Sequence, residues 1–200
     1  MNISGKVALV TGAGSGMGRQ ITLELVRRGT SVVAVDMHQP TLEETKALAG
    51  ALSSKITTIT LDVTDRSAVA ALPAQVGLID ILINNAGIIQ PFVPIKDLSI
   101  EVAEKVMDVN FYGPFTLIKA FLPGLLSRPE AHILNVSSMG AYTPVPGQSV
   151  YGASKAAVKL MTEGLRSELM DTNVGVTVAF PGAVNTNITT NSGIAIPDID

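Results

Sequence analysis

Tyr151 and Lys155 stand four residues apart in the stretch YGASK. On a helix this spacing brings two side chains to one face, and here it sets an ammonium beside a phenol. A phenol of ordinary pKa near 10 is a poor base at neutral pH, whereas a neighbouring cation favours the phenolate and lowers that value. Lys155 also has donors to spare for the hydroxyls of a bound ribose. Tyr and Lys meet at this spacing by chance on many helices, so the pair needs support. Ser138 lies 13 residues earlier, at the end of NVSSMG, and a loop containing PVPG separates it from Tyr151. Folded back, that loop faces the serine hydroxyl to the phenol, although a helix-capping or strand-end serine is equally ordinary. Asn110, in MDVNFYGPF, sits inside a helical stretch that Gly113 and Pro114 disturb; it is either a bonded amide or a solvent-facing one.

A second group suits an anion. TGAGSGMG (11–18) follows a strand-like run and opens a helical one. Glycines there let the backbone approach a pyrophosphate, whose charge the free N–H groups of a helix N-terminus favour. The generic G-x-G-x-x-G spacing does not fit; Gly12-x-x-x-Gly16-x-Gly18 does. Asp36 ends the next strand-like run, 20 residues past Gly16. A carboxylate there can accept both hydroxyls of an adenosine ribose and repels a 2′-phosphate. Met37 and His38 bring no permanent positive charge, so NAD is favoured over NADP. Asp62 and Val63, and NNAG (84–87), end two further runs.

These residues need elements to carry them. Runs at 6–12, 31–36, 56–63, 79–87, 131–138 and 174–182 read as strands, separated by helical stretches at 18–28, 41–52, 65–76, 99–126 and 150–172. Thr41 with Glu44 three residues on predicts a capping box at the start of the second helix. The alternation predicts an α/β fold, a doubly wound parallel sheet in three α/β/α layers, with ligands at the carboxyl ends of its strands. Composition agrees: 46% of the 200 residues are hydrophobic and only 4% aromatic, and the mean hydropathy of +0.39 fits strands buried on both faces. Every apolar run stops short of the ~20 residues of a membrane span, and no secretory signal opens the chain, which predicts a cytoplasmic protein. Cysteine is absent and the net charge is −3. No disulfide, thiolate metal site or basic nucleic-acid footprint is expected, and no metal is predicted.

TGAGSGMG, Asp62-Val63, NNAG, Asn110, Ser138, YGASK and the PG-x-V-x-T of Pro181, Gly182, Val184 and Thr186 together resemble the short-chain dehydrogenase/reductase family, in its TGxxxGxG/YxxxK branch. The resemblance covers residues ~3 to ~186. It implies a Rossmann-like NAD-binding domain over 1–186 with an integral catalytic site, and hydride transfer between an alcohol and a ketone or aldehyde. Tyr151 would be the general acid/base, Ser138 would hydrogen-bond the reacting oxygen, Lys155 would also hold the nicotinamide ribose, and Asn110 would position a relay water. Gly12, Ser15, Gly16, Met17, Gly18, Asp36, Asp62, Val63, Asn85, Ala86 and Gly87 would hold the cofactor. With Tyr151 and Lys155, the residues Pro181, Gly182, Val184 and Thr186 would close its nicotinamide end.

Family members usually continue past this point, so 187–200 is expected to start a substrate-binding loop, and the sheet to lack its last strand. Ile88, Ile89, Phe92, Val93, Met139, Tyr142 and Val145 follow strand ends and suggest an uncharged, apolar alcohol or ketone, or else are packing residues. Val150, Ala157, Leu160, Met161 and Leu165 serve either the core or a homodimer or homotetramer interface, which the resemblance implies. A non-catalytic NAD(H)-binding scaffold or redox sensor is the alternative function.

Overall fold

Six parallel strands form one sheet in the order β3-β2-β1-β4-β5-β6. The computed structural model describes residues 1–143, 145–184, 188 and 192–194. The strands are β1 (Val7–Thr11), β2 (Ser31–Asp36), β3 (Ile56–Thr60), β4 (Ile81–Asn84), β5 (Ala131–Val136) and β6 (Val174–Ala179). The helices are α1 (Gly16–Arg27), α2 (Gln39–Leu48), α3 (Arg66–Val76), α4 (Ile100–Met107), α5 (Gly113–Leu126) and α6 (Ser149–Glu168). Each expected element is present, and β3, β4, β5 and β6 end two to three residues before the sequence runs do. Those trailing residues, among them Asp62, Asn85 and Ser138, are the loops that reach the site.

The strand order reverses between β1, which pairs β2 (Leu9 opposite Val33), and β4, which pairs β1 on its other side (Leu9 opposite Leu82). Loops on either side of β1 therefore part and leave a crevice at its carboxyl end. Aliphatic residues fill both sides of β1. Leu9 belongs to the core shared with Val69, Leu72, Leu117, Phe121 and Leu165 of α3, α5 and α6. Ala8 and Val10 belong to the one shared with Val26 and Leu42 of α1 and α2. At about 1.5–3 kcal/mol for each fully buried Val or Leu, these two cores hold the layers together.

The second face of β5 and β6 differs from the two-sided burial expected. His132 and Leu134 are half-buried, and Gly175 and Thr177 are exposed. α1 and α2 cover the strands on the other side of the switch, so that face is open among the described residues. β3 and β6 are the sheet edges there.

Below the sheet, Asp80 is 1% exposed and accepts from the Val7 N–H at 2.8 Å and from Arg128 Nε at 2.7 Å. It joins the start of β1 to the loop after α5.

Two local expectations are corrected. Thr41 does not cap α2: His38 occupies the cap position and Pro40 falls in the first turn, where its fixed φ suits a helix and its missing N–H costs nothing. The Thr41 hydroxyl donates to the His38 carbonyl at 2.8 Å, and Glu44 pairs with Arg19 instead of reaching back. The stretch 99–126 is two helices joined by a π-turn over Asp108–Tyr112, the disturbance that Gly113 and Pro114 announce.

Candidate active site

The glycine-rich turn is built by close approach. Gly12 has φ +66, a conformation other residues rarely adopt. A Cβ on Gly18 would lie 2.0 Å from the Gly12 carbonyl oxygen and 2.6 Å from Asn85 Nδ2. Asn85 braces the turn by donating from Nδ2 to the Thr11 and Gly12 carbonyls at 3.0 and 3.4 Å. The Thr11 hydroxyl accepts from the N–H groups of Asn85 and Ala86 at 3.0 and 3.1 Å. β1 and the NNAG loop after β4 are thereby riveted together, and the first turn of α1 faces the space between them. Gly18→Ala is expected to lower stability by about 1–3 kcal/mol through overpacking, read by urea denaturation; unchanged stability would mean that the turn relaxes freely.

That space is a cleft of about 610 Å³ at the switch point. Ten of the expected cofactor residues line it: Gly12, Ser15, Gly16, Met17, Asp36, Asp62, Val63, Asn85, Ala86 and Gly87. Asp36 Oδ2 accepts from the Gly14 N–H at 3.0 Å and Oδ1 from the His38 N–H at 3.1 Å. Each oxygen keeps a lone pair for a ribose hydroxyl. Arg19, which the sequence argument overlooked, donates to the Gly14 carbonyl from Nε at 3.0 Å and pairs through Nη2 with Glu44 at 2.6 Å. Its charge is thus engaged by a carboxylate on α2.

The expected proton-transfer residues meet at the end of β5. Ser138 opens a short 3₁₀ turn, its Oγ accepting from the Gly140 N–H at 3.0 Å. A hydrogen bond with Ser138 lowers the Tyr151 phenol, yet burial outweighs it and the phenol stands above its ordinary value. Lys155 is 4% exposed. Its Nζ donates to the Val136 carbonyl at 3.1 Å and lies 5.9 Å from the centre of the Tyr151 ring. Burial pushes it down to about 8. The expectation that Lys155 depresses the Tyr151 pKa is therefore not met: the ammonium points at a carbonyl, and desolvation governs both groups.

Asn110 is 1% exposed and bonded, which removes the solvent-facing alternative. Its Oδ1 accepts from the Ile88 N–H at 2.9 Å, and Nδ2 donates to the Ile88 carbonyl at 2.9 Å and to Ser154 Oγ at 3.0 Å. The Ser154 hydroxyl donates in turn to the Tyr151 carbonyl at 2.7 Å. A Cβ on Gly87 would lie 3.1 Å from Lys155 Nζ and 3.2 Å from Asn110 Oδ1. Gly87 is where the proton-transfer group and the cleft floor come together. Such a grouping can exchange a proton with a substrate oxygen next to whatever the cleft holds.

The family profile described as short chain dehydrogenase matches residues 6–195. The chain belongs to that family. It is 38% identical over 196 residues to dehydrogenase/reductase SDR family member 7B of Rattus norvegicus, covering 93% of this chain and 60% of the relative; the chain thus spans about 60% of that relative's length. Among solved structures, a short-chain dehydrogenase/reductase from Burkholderia phymatum in complex with NAD superposes with a TM-score of 0.90 at 30% identity, covering 95% of this chain and 70% of that one. The closed form of serine dehydrogenase complexed with NADP+ gives 0.87 at 35%, covering 92% and 75%.

Within this short-chain dehydrogenase frame, several expected residues are not part of the cleft wall itself. Tyr151, Lys155, Pro181, Gly182 and Val184 do not line it. Pro181 does approach Ser138, since its carbonyl accepts from the Met139 N–H at 2.9 Å. Thr186 lies outside the described residues, as does most of 187–200. Ile188, Ser192, Gly193 and Ile194 border the cleft, and Ser192 Oγ accepts from the Ile89 N–H at 3.1 Å. Of the apolar candidates only Ile88 and Ile89 line it; Met139, Tyr142 and Val145 are exposed. Thr11, Ser154 and Gln90 were missed. Thr11 is signalled only by preceding the glycines, and Gln90 by nothing in its neighbourhood.

Proposed function

We propose that the chain is an NAD-dependent oxidoreductase that interconverts an alcohol and a ketone or aldehyde. The observation that carries the reading is the approach of Lys155 and Asn110 to Gly87, on a cleft whose other residues include the glycine turn and Asp36, with Tyr151 next to Lys155 and in contact with Ser138. When bound, a nicotinamide ring supplies the hydride acceptor or donor. Gly12, Gly16 and the first turn of α1 would hold its pyrophosphate, Asp36 the adenosine ribose, and Lys155 the second ribose. The residues of the chain handle the proton. Tyr151, protonated at neutral pH, gives a proton to a carbonyl oxygen in reduction; in oxidation its phenolate takes one, so oxidation rises with pH. Ser138 steadies the charge on that oxygen. Asn110, held through Ile88 and Ser154, would position a relay water near Lys155.

The Asp36 carboxylate and the engagement of Arg19 by Glu44 support NAD over NADP. The two solved relatives differ on this point, one holding NAD and the other NADP+, so the two cofactors are compared directly. NAD at about 100 times its Kd should stabilise the fold by about 2.7 kcal/mol in thermal unfolding, with NADP giving little. Stabilisation by NADP alone would overturn the preference. A panel of small alcohols and ketones followed by NADH absorbance tests the activity. Ile88 and Ile89 on the cleft support an uncharged, apolar substrate. Exposed Phe115 on α5 and Leu160 on α6 support a homodimer or homotetramer through those helices. No helix among the described residues is long and apolar enough to cross a membrane, and a cytoplasmic place belongs to the same proposal.

A further inference from the structure

Gln90 has no exposed surface, and its side-chain amide and main-chain carbonyl serve one short stretch of chain. It lies on the loop after β4 whose residues Asn85–Ile89 line the cleft. Its Oε1 accepts from the N–H groups of Val150 and Tyr151 at 2.8 and 2.9 Å. Nε2 donates to the Gly147 carbonyl at 2.8 Å, and the Gln90 carbonyl accepts from Gln148 Nε2 at 2.6 Å.

These bonds replace a local cap. The first N–H groups of a helix have no partner within it, and an Asp, Ser or Thr beside them usually supplies one. Gln148 holds the cap position of α6 without a capping side-chain bond. The acceptor comes instead from a residue 60 and 61 positions away. A local cap fixes only that a helix begins; a remote one also fixes where. Tyr151 is the third residue of α6, and its own N–H is one of the two held. The same loop is clamped again at Ile88 by Asn110, which reaches Ser154 one turn further along α6. Loop and helix are joined at two points, one at the Val150 and Tyr151 N–H groups and the other at Ser154.

We propose that Gln90 is a positioning residue, which sets the place of Tyr151 relative to the cleft floor by holding the first turn of α6 to the Asn85–Ile89 loop. The inference rests on the oxidoreductase reading, in which Tyr151 moves the proton. A displacement of 1 Å at such a group lowers a rate by about 100-fold.

The test compares Gln90→Leu, which removes donor and acceptor at similar volume, with Gln90→Glu, which keeps an acceptor for both N–H groups. NAD binding is measured by calorimetry, turnover on the best alcohol of the panel, and Tyr151 ionisation by phenolate absorbance with Tyr151→Phe as blank. Gln90→Leu should lower kcat about 30-fold while NAD affinity stays within about threefold. Gln90→Glu should recover most of that kcat at the top of a pH profile displaced upward, because a carboxylate now faces the turn that carries the phenol. A Gln90→Leu kcat near that of the parent, or a parallel fall of kcat and NAD affinity, overturns the proposal. So does a Gln90→Glu variant no better than Gln90→Leu with an unmoved profile. Should Gln90→Leu fail to fold, the profile of Gln90→Glu decides alone: displacement supports the proposal and no displacement overturns it. Should the parent turn over no substrate, the oxidoreductase reading fails by itself. The phenolate titration of Gln90→Glu against the parent then decides in the same two ways, since it needs no substrate.

Discussion

Tyr151→Phe is expected to lower turnover by about 1000-fold, within the range that positioned acid–base groups contribute, and to leave NAD affinity within about threefold. The ring stays and only the hydroxyl goes, so packing against the start of α6 is kept. The interaction with Ser138 is lost with the hydroxyl, at a cost of at most about 1 kcal/mol, so thermal stability changes little. On the proposed reading turnover should fail in both directions, because the same oxygen would give the proton in reduction and take it in oxidation. Steady-state rates at saturating cofactor, with a parallel calorimetric titration of NAD, separate the outcomes. Activity retained within about tenfold would mean that another group moves the proton. Loss of NAD binding along with turnover would mean that the phenyl ring had shifted the cleft.

Lys155→Met should do two opposite things: remove most of the turnover and make the protein more stable. Burial holds Lys155 down to about 8 against an ordinary 10.5. That gap corresponds to about 3 kcal/mol of destabilisation when the group is charged. The sign follows from proton counting. Between pH 8 and 10.5 the unfolded chain holds a proton on this lysine that the folded chain has released, so stability rises with pH across that window. Below about pH 8 both states are protonated and the folded one bears the whole penalty. Methionine fills similar space without charge, so at pH 7 the variant should gain about 2 kcal/mol, which is the ~3 kcal/mol charge penalty less about 1 kcal/mol for the Val136 carbonyl left without its donor. The rise in stability from pH 8 to about 9.5 should also flatten, a range chosen below the titration of Tyr151 itself. Urea unfolding at several pH values reads both effects. A variant that is less stable at pH 7 and keeps the parental pH slope would show that the lysine is not what titrates there. The result would also measure how much stability the fold gives up to keep a cation beside Gly87.

Much of this arrangement was legible because its signals are local. Aliphatic runs ending in Gly, Asn, Asp or Ser mark both a buried strand and the loop it delivers, which is why β1 to β6 and the turn residues Gly12, Asp36, Asp62 and Asn85 could be placed together. YGASK is a local signal too, since a helix turns four residues into one face. Boundaries were less legible: Pro40 draws the start of α2 ahead of Thr41, and the capping-box pattern is then spent inside the helix. The Asn110 position left two readings open, because whether an amide faces water depends on Ile88 and Ser154, 22 and 44 residues away. The ionisation of Tyr151 came out opposite to the pair argument, since that argument counts charge and omits desolvation. Gln90 was invisible for the same reason as the Asn110 clamp, with partners 57 to 61 residues on. The open face over β5 and β6 is written in their alternation, through His132, Gly175 and Thr177, but the overall hydrophobicity of the chain masks it.

The order of the strands also has a meaning for how the protein comes into being. Residues 7–60 complete the β3-β2-β1 half of the sheet on their own, and a chain grows from its N-terminus during synthesis. The Asn85 amide that braces Gly12, at the end of strand β4, arrives only when the chain has grown 74 residues past Thr11. Until then the glycine turn has its bends but no brace, and the crevice has only one wall. On the proposed reading, capture of a dinucleotide would be a report on assembly: it would become possible when the late half of the sheet has docked on the early half.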